Sequence, residues 1–213
     1  MSCSPVNADT RGPRIAVVDY GAGNLRSVAK ALTSLNFRVA VTDQAADLRD
    51  ADGVVFPGQG IAGPAMDRLR AAGMDTALRE LIAREVPFFG VCLGLQLLFD
   101  WTEEGATDCL GILGGECLRF PKGLKAPHMG WNDVSLVQDH AATAALPARY
   151  QFYFVHSYYA RPSSDEMTLG VTDYGGPFAS IVAHKKLIAT QFHPEKSGRQ
   201  GLALYRDFFR WAM

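Results

Sequence analysis

Over its first hundred residues the chain alternates short apolar runs with amphipathic stretches, and this alternation restricts the fold more than any other feature. The apolar run at 15–19 ends in a glycine-containing turn, after which Leu25, Val28, Ala29, Leu32 and Leu35 recur at helical spacing. "FRVAVT" (37–42) reads as a second strand, and "DGVVFPGQG" (52–60) as a third strand followed by a loop. "GPAMDRLRAAGMDTALRELIARE" (63–85) reads as two helices broken near Gly73. "VPFFGVC" (86–92) then reads as a strand and "LGLQLLFDWTEE" (93–104) as a helix. Such alternation predicts a mostly parallel sheet flanked by helices on both faces.

Past residue 105 the pattern changes. "CLGILGGECLRF", "GWNDVSLVQ", "YQFYFVHSYYA", "MTLGVTDY", "PFASIVAH" and "LIATQF" are short β-rich segments, with Gly175-Gly176 and Lys185-Lys186 as candidate turns. They predict antiparallel strands appended to the parallel sheet. The close, "GLALYRDFFRWAM", reads as a helix apolar around much of its circumference. No repeat or linker interrupts the chain. We therefore expect a flexible leader over 1–13 and one α/β domain over 14–213, of a size that suits a single core.

Composition removes several function classes. The net charge of −1 gives no reason to expect nucleic acid or an anionic membrane as partner. The longest apolar run, 88–99, falls short of the ~20 residues that span a bilayer. The N-terminal segment lacks the apolar stretch of a secretory signal. The cysteines, at 3, 92, 109 and 117, show no C-x-x-C spacing, and so few in 213 residues suggest a reducing cytoplasm rather than a disulfide scaffold. The five histidines show no H-x₃-H or H-E-x-x-H pattern, and no P-loop is present, so neither a metal nor another cofactor is expected.

Cys92 has unusual surroundings. Gly90-Val91-Cys92-Leu93-Gly94 lies where a buried strand turns into a helix, and G-x-C-x-G is the thiol counterpart of the G-x-S-x-G nucleophile elbow. Glycines on both sides relieve crowding in so sharp a turn. The helix N-terminus would favour a thiolate, and the N–H of Leu93 would point at an oxyanion formed on attack. Alone, the motif reads equally well as a buried cysteine in a close-packed turn. The balance shifts 100 residues downstream, where "ATQFHPEKSG" ends an apolar strand in His193, Pro194 and Glu195. A histidine and a carboxylate two apart on an extended segment project to one side. His193 can take up and return the thiol proton, with Glu195 orienting the imidazole. "VVFPGQG" adds a glycine loop, with Gly58 and Gly60, on the same edge of the sheet. It can aim a second backbone N–H at the site, although P-G is also ordinary turn punctuation.

With these residues in place, "GVCLGLQLL" and "QFHPE" resemble the class I (triad) glutamine amidotransferases. "DYGAGNLRSV", "FPGQG", "PHMGWN", "YFVHSYY" and "QFHPEKSG", spread from 19 to 198, resemble more narrowly the glutaminase subunits of imidazole glycerol phosphate synthases. The resemblance implies that Cys92 attacks the carboxamide of glutamine to form a thioester, with His193 and Glu195 completing the triad. It implies that Gly58 and Gly60 border the oxyanion loop, that Gln96 hydrogen-bonds the substrate, and that the backbone around Ser157 and Tyr158 holds its α-amino and carboxylate groups. It further implies a partner, a (βα)₈-barrel cyclase subunit of histidine biosynthesis that receives the ammonia and activates the glutaminase. Asn24, Trp131, Tyr153 and Lys196 would lie at that interface. Trp131 as core, Tyr153 as a strand aromatic and Lys196 as a solvated charge are the plainer alternatives.

Two positions depart from the family's pattern. Gln59 stands in the oxyanion loop where valine is common, and Leu95 where methionine is frequent, the latter a near volume-conserving change. Rival readings explain less. A dinucleotide-binding module would use Gly21-Ala22-Gly23 and Asp43, but Arg26 stands where the third glycine belongs. A thiol peptidase would use the same elbow without a role for Gln96 or "PHMGWN". An amidotransferase serving another synthase would leave the narrower motifs without a reason.

Overall fold

The computed structural model describes residues 12–21, 23–144 and 146–213. Most of the expected leader, 1–11, lies outside the described residues, and Cys3 with it.

The first half runs β1 (Arg14–Val18), α1 (Leu25–Ser34), β2 (Arg38–Thr42), β3 (Gly53–Gly58), α2 (Ala62–Ala71), α3 (Met74–Ala83), β4 (Phe88–Cys92) and α4 (Leu93–Gln96). β1 pairs in parallel with β2 and β3, and β3 in parallel with β4. Successive side chains in a strand point to opposite faces, and here both faces are apolar. Ile15, Val17, Val55, Phe89 and Val91 pack with Val28 and Leu32 of α1. Ala16, Val18, Val54, Phe56 and Phe88 pack with Met66 and Leu69 of α2 and Leu78 and Leu81 of α3. This produces the expected sheet with helices on both sides. Burying one such phenylalanine contributes about 1.5–3 kcal/mol. The break near Gly73 is also present: Gly73, at φ 63°, opens α3 in the left-handed region that glycine tolerates.

The second half holds β5 (Trp101–Thr102), β6 (Thr107–Asp108), β7 (Gly115–Arg119), β8 (His128–Leu136), β9 (Arg149–His156), β10 (Tyr158–Pro162), β11 (Thr168–Asp173), β12 (Pro177–His184) and β13 (Leu187–Thr190), closed by α5 (Gly198–Ala212). The main path of the sheet runs β2-β1-β3-β4-β13-β12-β10-β7-β5-β6, while β12 also pairs with β11, which leads to β8 and β9. α5 lays Tyr205, Phe208 and Phe209 over the α1 side of the sheet, with the Phe89 ring 4.7 Å from that of Tyr205 and 5.2 Å from that of Phe208.

Three expectations need correction. The helix expected over 93–104 stops after Gln96. The carbonyls of Leu97, Leu98 and Phe99 accept instead from the N–H groups of residues 110–113, so the loop that follows takes the place of further helical turns. Second, "LIATQF" was expected among the antiparallel strands, but β13 joins the parallel sheet beside β4 and is antiparallel only to β12. All four of its residues are buried, the pattern of a strand covered on both faces. Third, "YQFYFVHSYYA" is two strands, β9 and β10, broken at Ser157.

The carboxyl ends of β3, β4 and β13 lie side by side as a result. Open α/β sheets place their sites outside such ends.

Candidate active site

Cys92 sits between β4 and α4 with φ 55° and ψ −111°, a conformation that a residue with a side chain rarely adopts. The flanking glycines make it possible. A Cβ on Gly94 would lie 1.8 Å from the carbonyl oxygen of Phe56, and one on Gly90 2.8 Å from Cβ of Ala189. Gly58 is as confined, since a Cβ there would lie 2.2 Å from the hydroxyl of Tyr20 and 2.7 Å from Cβ of Leu93. The elbow expected from G-x-C-x-G is therefore built by packing against β3 and β13. The helix behind it is one turn long, so the electrostatic support expected from a helix reduces to its first N–H groups.

His193 follows β13 and is buried, with Nδ1 2.8 Å from Oε1 of Glu195. The expected extended segment is corrected here: His193 is extended, but residues Pro194–Lys196 form a 3₁₀ turn that begins at the proline. Proline suits the first position of a helical turn because its fixed φ is already helical and no N–H is needed there. The turn, rather than strand alternation, brings Glu195 back onto the imidazole. The backbone of His193 is held as well. Its N–H donates to the carbonyl of Tyr153, and Oγ of Ser197 donates to its carbonyl at 2.6 Å while accepting from the N–H of Tyr153 at 3.0 Å.

Burial alone would lower the pKa of His193, but Cys92 and Glu195 outweigh it and raise the value to about 10. The imidazole is thus set to hold a proton beside Cys92 and Glu195. Its Nε2 and Oε2 of Glu195 have no hydrogen-bond partner among the described residues. Cys92 Sγ lies 3.8 Å from the carbonyl oxygen of Val155 and 3.7 Å from Nε2 of Gln191.

A cavity of about 330 Å³ opens over Cys92. The expected residues Gly60, Leu93, Gln96, Ser157, Tyr158 and Lys196 all line it. Gly58 does not, and lies beneath the elbow instead. Nε2 of Gln96 donates to the carbonyl of Tyr158 at 2.8 Å and to Oε1 of Gln191 at 3.0 Å, so its carbonyl oxygen is the part left for a ligand. Gly60 is at φ 105°, a conformation that favours glycine, with open space around it.

Several residues of the site escaped the sequence reading. Gln191, fully buried, bridges Gln96 and Cys92, and its signal was a lone amide at the end of an apolar strand. Glu104 lines the cavity, and its Oε2 accepts from the N–H of Ala62 at the start of α2. Burial raises its pKa, against the lowering effect of that bond. Asn24, expected only at an interface, donates to Glu195. The other expected interface residues form a line beside the cavity: Trp131 is 54% exposed, its ring centre is 6.2 Å from that of Tyr153, and Nζ of Lys196 is 5.9 Å from the Tyr153 ring. Among the described residues no three His, Cys, Asp or Glu side chains gather as a metal site requires, and no helix is long and apolar enough to cross a membrane.

An elbow cysteine beside a buried His–Glu pair, at the carboxyl ends of the parallel strands of a doubly wound sheet, is an arrangement suited to a thiol nucleophile. Residues 16–211 match the family model for glutamine amidotransferase class-I. The imidazole glycerol phosphate synthase subunit HisH of Dehalococcoides mccartyi (strain CBDB1) is 48% identical over 200 residues, covering 93% of this chain and 98% of that protein. The HisH subunit of Neisseria gonorrhoeae is 44% identical over 210 residues, covering 92% and 99%. The chain belongs to the class-I glutamine amidotransferases and, within them, to the HisH subunits of imidazole glycerol phosphate synthase. More distant structures share the fold. A chain in the structure of PurLQS from Thermotoga maritima superposes with a TM-score of 0.77 at 18% identity, over 95% of this chain and all of that one.

Proposed function

We propose that Cys92, His193 and Glu195 are the catalytic triad of a glutaminase, and that the ammonia it forms passes to a (βα)₈-barrel cyclase subunit. The observation that carries the reading is the strained elbow of Cys92 at the floor of the cavity, beside a buried His193–Glu195 hydrogen bond.

Sγ of Cys92 attacks the carboxamide carbon of glutamine. The oxyanion is met by the N–H of Leu93 and by an N–H of the Gly58–Gly60 loop, each such donor being worth about 10²–10³ in rate. His193 delivers its proton to the departing nitrogen, which leaves as ammonia, and a γ-glutamyl thioester remains. His193 then takes a proton from water, which attacks the thioester, and returns it to sulfur as glutamate leaves. Glu195 steadies the imidazolium in both halves. The carbonyl of Gln96 and the carboxylate of Glu104 face the cavity as acceptors for the substrate's α-ammonium, while the backbone of Ser157 and Tyr158 meets its carboxylate. The reaction calls for no cofactor.

Trp131, Tyr153 and Lys196, with Asn24 behind them, mark the surface on which the cyclase docks. An exposed tryptophan beside a reactive cavity suits an interface anchor. We place both subunits in the cytoplasm, where the free thiols of Cys92, Cys109 and Cys117 stay reduced. By coupling between the two sites, the cyclase with its ribonucleotide bound raises glutaminase turnover.

The test is glutamate release from glutamine, with the cyclase subunit and its ribonucleotide present, for wild type and Cys92→Ala. Turnover in wild type and a loss of at least about 10³-fold in the variant is the expected result. Equal rates in the two proteins would remove Cys92 from the chemistry.

A further inference from the structure

Two buried histidines take no part in the chemistry above, although both stand in motifs that the sequence singled out. His128 opens β8, in "PHMGWN", and His156 ends β9, in "VHSYY". They are direct partners across the β8–β9 ladder, with Nδ1 of His128 3.0 Å from Nε2 of His156. Each is about 5% exposed or less.

Their hydrogen bonds run in one direction. The carbonyl of Tyr158 can only accept, so Nδ1 of His156, 2.8 Å away, must donate. In a neutral ring Nε2 of His156 then accepts, and Nδ1 of His128 donates to it. Nε2 of His128 is left as an acceptor for Nδ2 of Asn132 at 3.2 Å. The amide of Asn132 is itself oriented by the backbone: Nδ2 donates to the carbonyl of Asp173 at 2.9 Å, and Oδ1 accepts from the N–H of Asp133 at 2.8 Å. Both ends of the chain are therefore set by main-chain groups, and only one tautomer of each histidine satisfies it. Burial agrees, lowering the pKa to about 4 at His128 and, as the largest effect, to about 3 at His156. The rings are also clamped by aromatics. His128 stacks on Tyr174 at 4.1 Å and on Phe154 at 4.9 Å, and the Phe120 ring lies 5.2 Å from that of His156.

The end of this chain is the substrate-facing backbone. The carbonyl of Tyr158 accepts from His156 and from Gln96, whose own side chain faces the cavity. Ser157 and Tyr158 line that cavity, as does His156 itself. Two donors converging on one carbonyl fix the plane of the peptide that follows it, just past the break between β9 and β10.

We propose that His156 and His128 are positioning residues for glutamine, a neutral two-imidazole relay that orients the Tyr158 peptide and, through it, Gln96 for substrate capture. The inference rests on the reading of the cavity as a glutamine site. The relay touches no reacting atom, so its loss weakens ground-state and transition-state binding together and appears in KM rather than in kcat.

The experiment uses the full chain with its cyclase subunit, and two variants. His128→Phe keeps the flat ring between Tyr174 and Phe154 and removes the donor to His156. His128→Asn places an amide nitrogen near the position of Nδ1 and restores that donor. We expect KM for glutamine to rise about tenfold or more in His128→Phe, with kcat within about threefold of wild type, and to recover in His128→Asn. On a Cys92→Ala background, calorimetry with glutamine should show the same loss and recovery in Kd. Nitrogen NMR of the wild-type chain should find both imidazoles neutral and protonated at Nδ1. An unchanged KM and Kd in His128→Phe, or Nε2-protonated rings, would overturn the relay. So would a parallel fall of kcat and melting temperature in both variants. Failure of the underlying reading looks different: wild type then releases no glutamate and Cys92→Ala binds no glutamine, whatever residue stands at 128.

Discussion

Asn24 donates from Nδ2 to Oε1 of Glu195 at 2.5 Å, across 171 residues of chain, on the same oxygen that faces Nδ1 of His193. The loop between β1 and α1 thus reaches into the proposed triad and gives its carboxylate oxygen a second partner beside the imidazole. Asn24 manages this in a left-handed conformation, at φ 70° and ψ 7°, which asparagine tolerates better than most residues.

A hydrogen bond to a buried carboxylate is worth about 1.5–3 kcal/mol, so its loss should lower kcat by about 10–100-fold through a less well-oriented imidazole. Asn24→Gly is the variant to use, since glycine keeps the left-handed backbone and removes only the side chain. Asn24→Asp should be worse, because it sets a second carboxylate against Glu195. Turnover at saturating glutamine checks both, and a wild-type kcat in Asn24→Gly would leave Asn24 as a partner-facing residue alone.

Two glycines of the site should respond differently to alanine. At Gly94 the new methyl meets the Phe56 carbonyl at 1.8 Å, between two elements that cannot separate, and we expect a loss of more than about 4 kcal/mol, with little folded protein. Gly60 has open space around it, so alanine meets only the strain of φ 105°, about 1–3 kcal/mol. Gly60→Ala should therefore fold, and it should release glutamate at least about tenfold more slowly, because the loop can no longer present its N–H. Denaturant melts and initial rates on the two variants separate the cases. A Gly60→Ala protein at full rate would take that loop out of oxyanion binding.

The contrast between these glycines shows what the sequence could express. Gly90-Val91-Cys92-Leu93-Gly94 is legible because an elbow is local: strand, turn and helix are neighbours in the chain, and the glycines mark where backbones meet. His193 was legible from its place at the end of an apolar strand. The contacts of Asn24, Glu104 and Gln191 were not, since each partner lies tens of residues or more away in the chain and on another element. The helix expected over 93–104 failed for a different reason. Leu97, Leu98 and Phe99 are all fully buried, so no amphipathic period separates a helix from a buried loop there. The extent of α4 was decided by the 110–113 segment that captures its would-be carbonyl acceptors. Likewise, nothing in "LIAT" distinguishes a parallel from an antiparallel neighbour, and β13 has one of each.

The buried histidines set opposite pH dependences. His128 and His156 have folded values near 4 and 3, below the unfolded value of about 6.5. As pH falls below about 6.5 the unfolded chain takes up protons that the folded chain refuses, and stability drops by about 1.4 kcal/mol per pH unit for each such proton. His193 is raised to about 10, so its contribution is fully present below about 6.5 and is lost as pH rises toward 10. Denaturant melts from pH 7.5 down to 4.5 should show a shallower acid slope in His128→Phe, by about one proton. Identical slopes would mean that His128 is charged in the folded state or shielded in the unfolded one.

Glu104 offers the most direct check on how the substrate's amino group is held. Its Oε2 already accepts from the N–H of Ala62 at 2.8 Å, which fixes the side chain at the mouth of α2, and burial raises its pKa without removing it from the cavity wall. Glu104→Gln keeps an acceptor for Ala62 and nearly the same volume, and removes only the charge. If the carboxylate faces the α-ammonium of glutamine, the variant should raise KM by about tenfold or more and leave kcat little changed, because the contact is the same in ground and transition states. A glutamine analogue lacking the α-amino group should, by the same contact, bind wild type and Glu104→Gln with similar affinity. Steady-state kinetics with both ligands decides it. A KM effect of equal size on the analogue would show that Glu104 acts through the position of α2 and the loop before it, not on the ammonium.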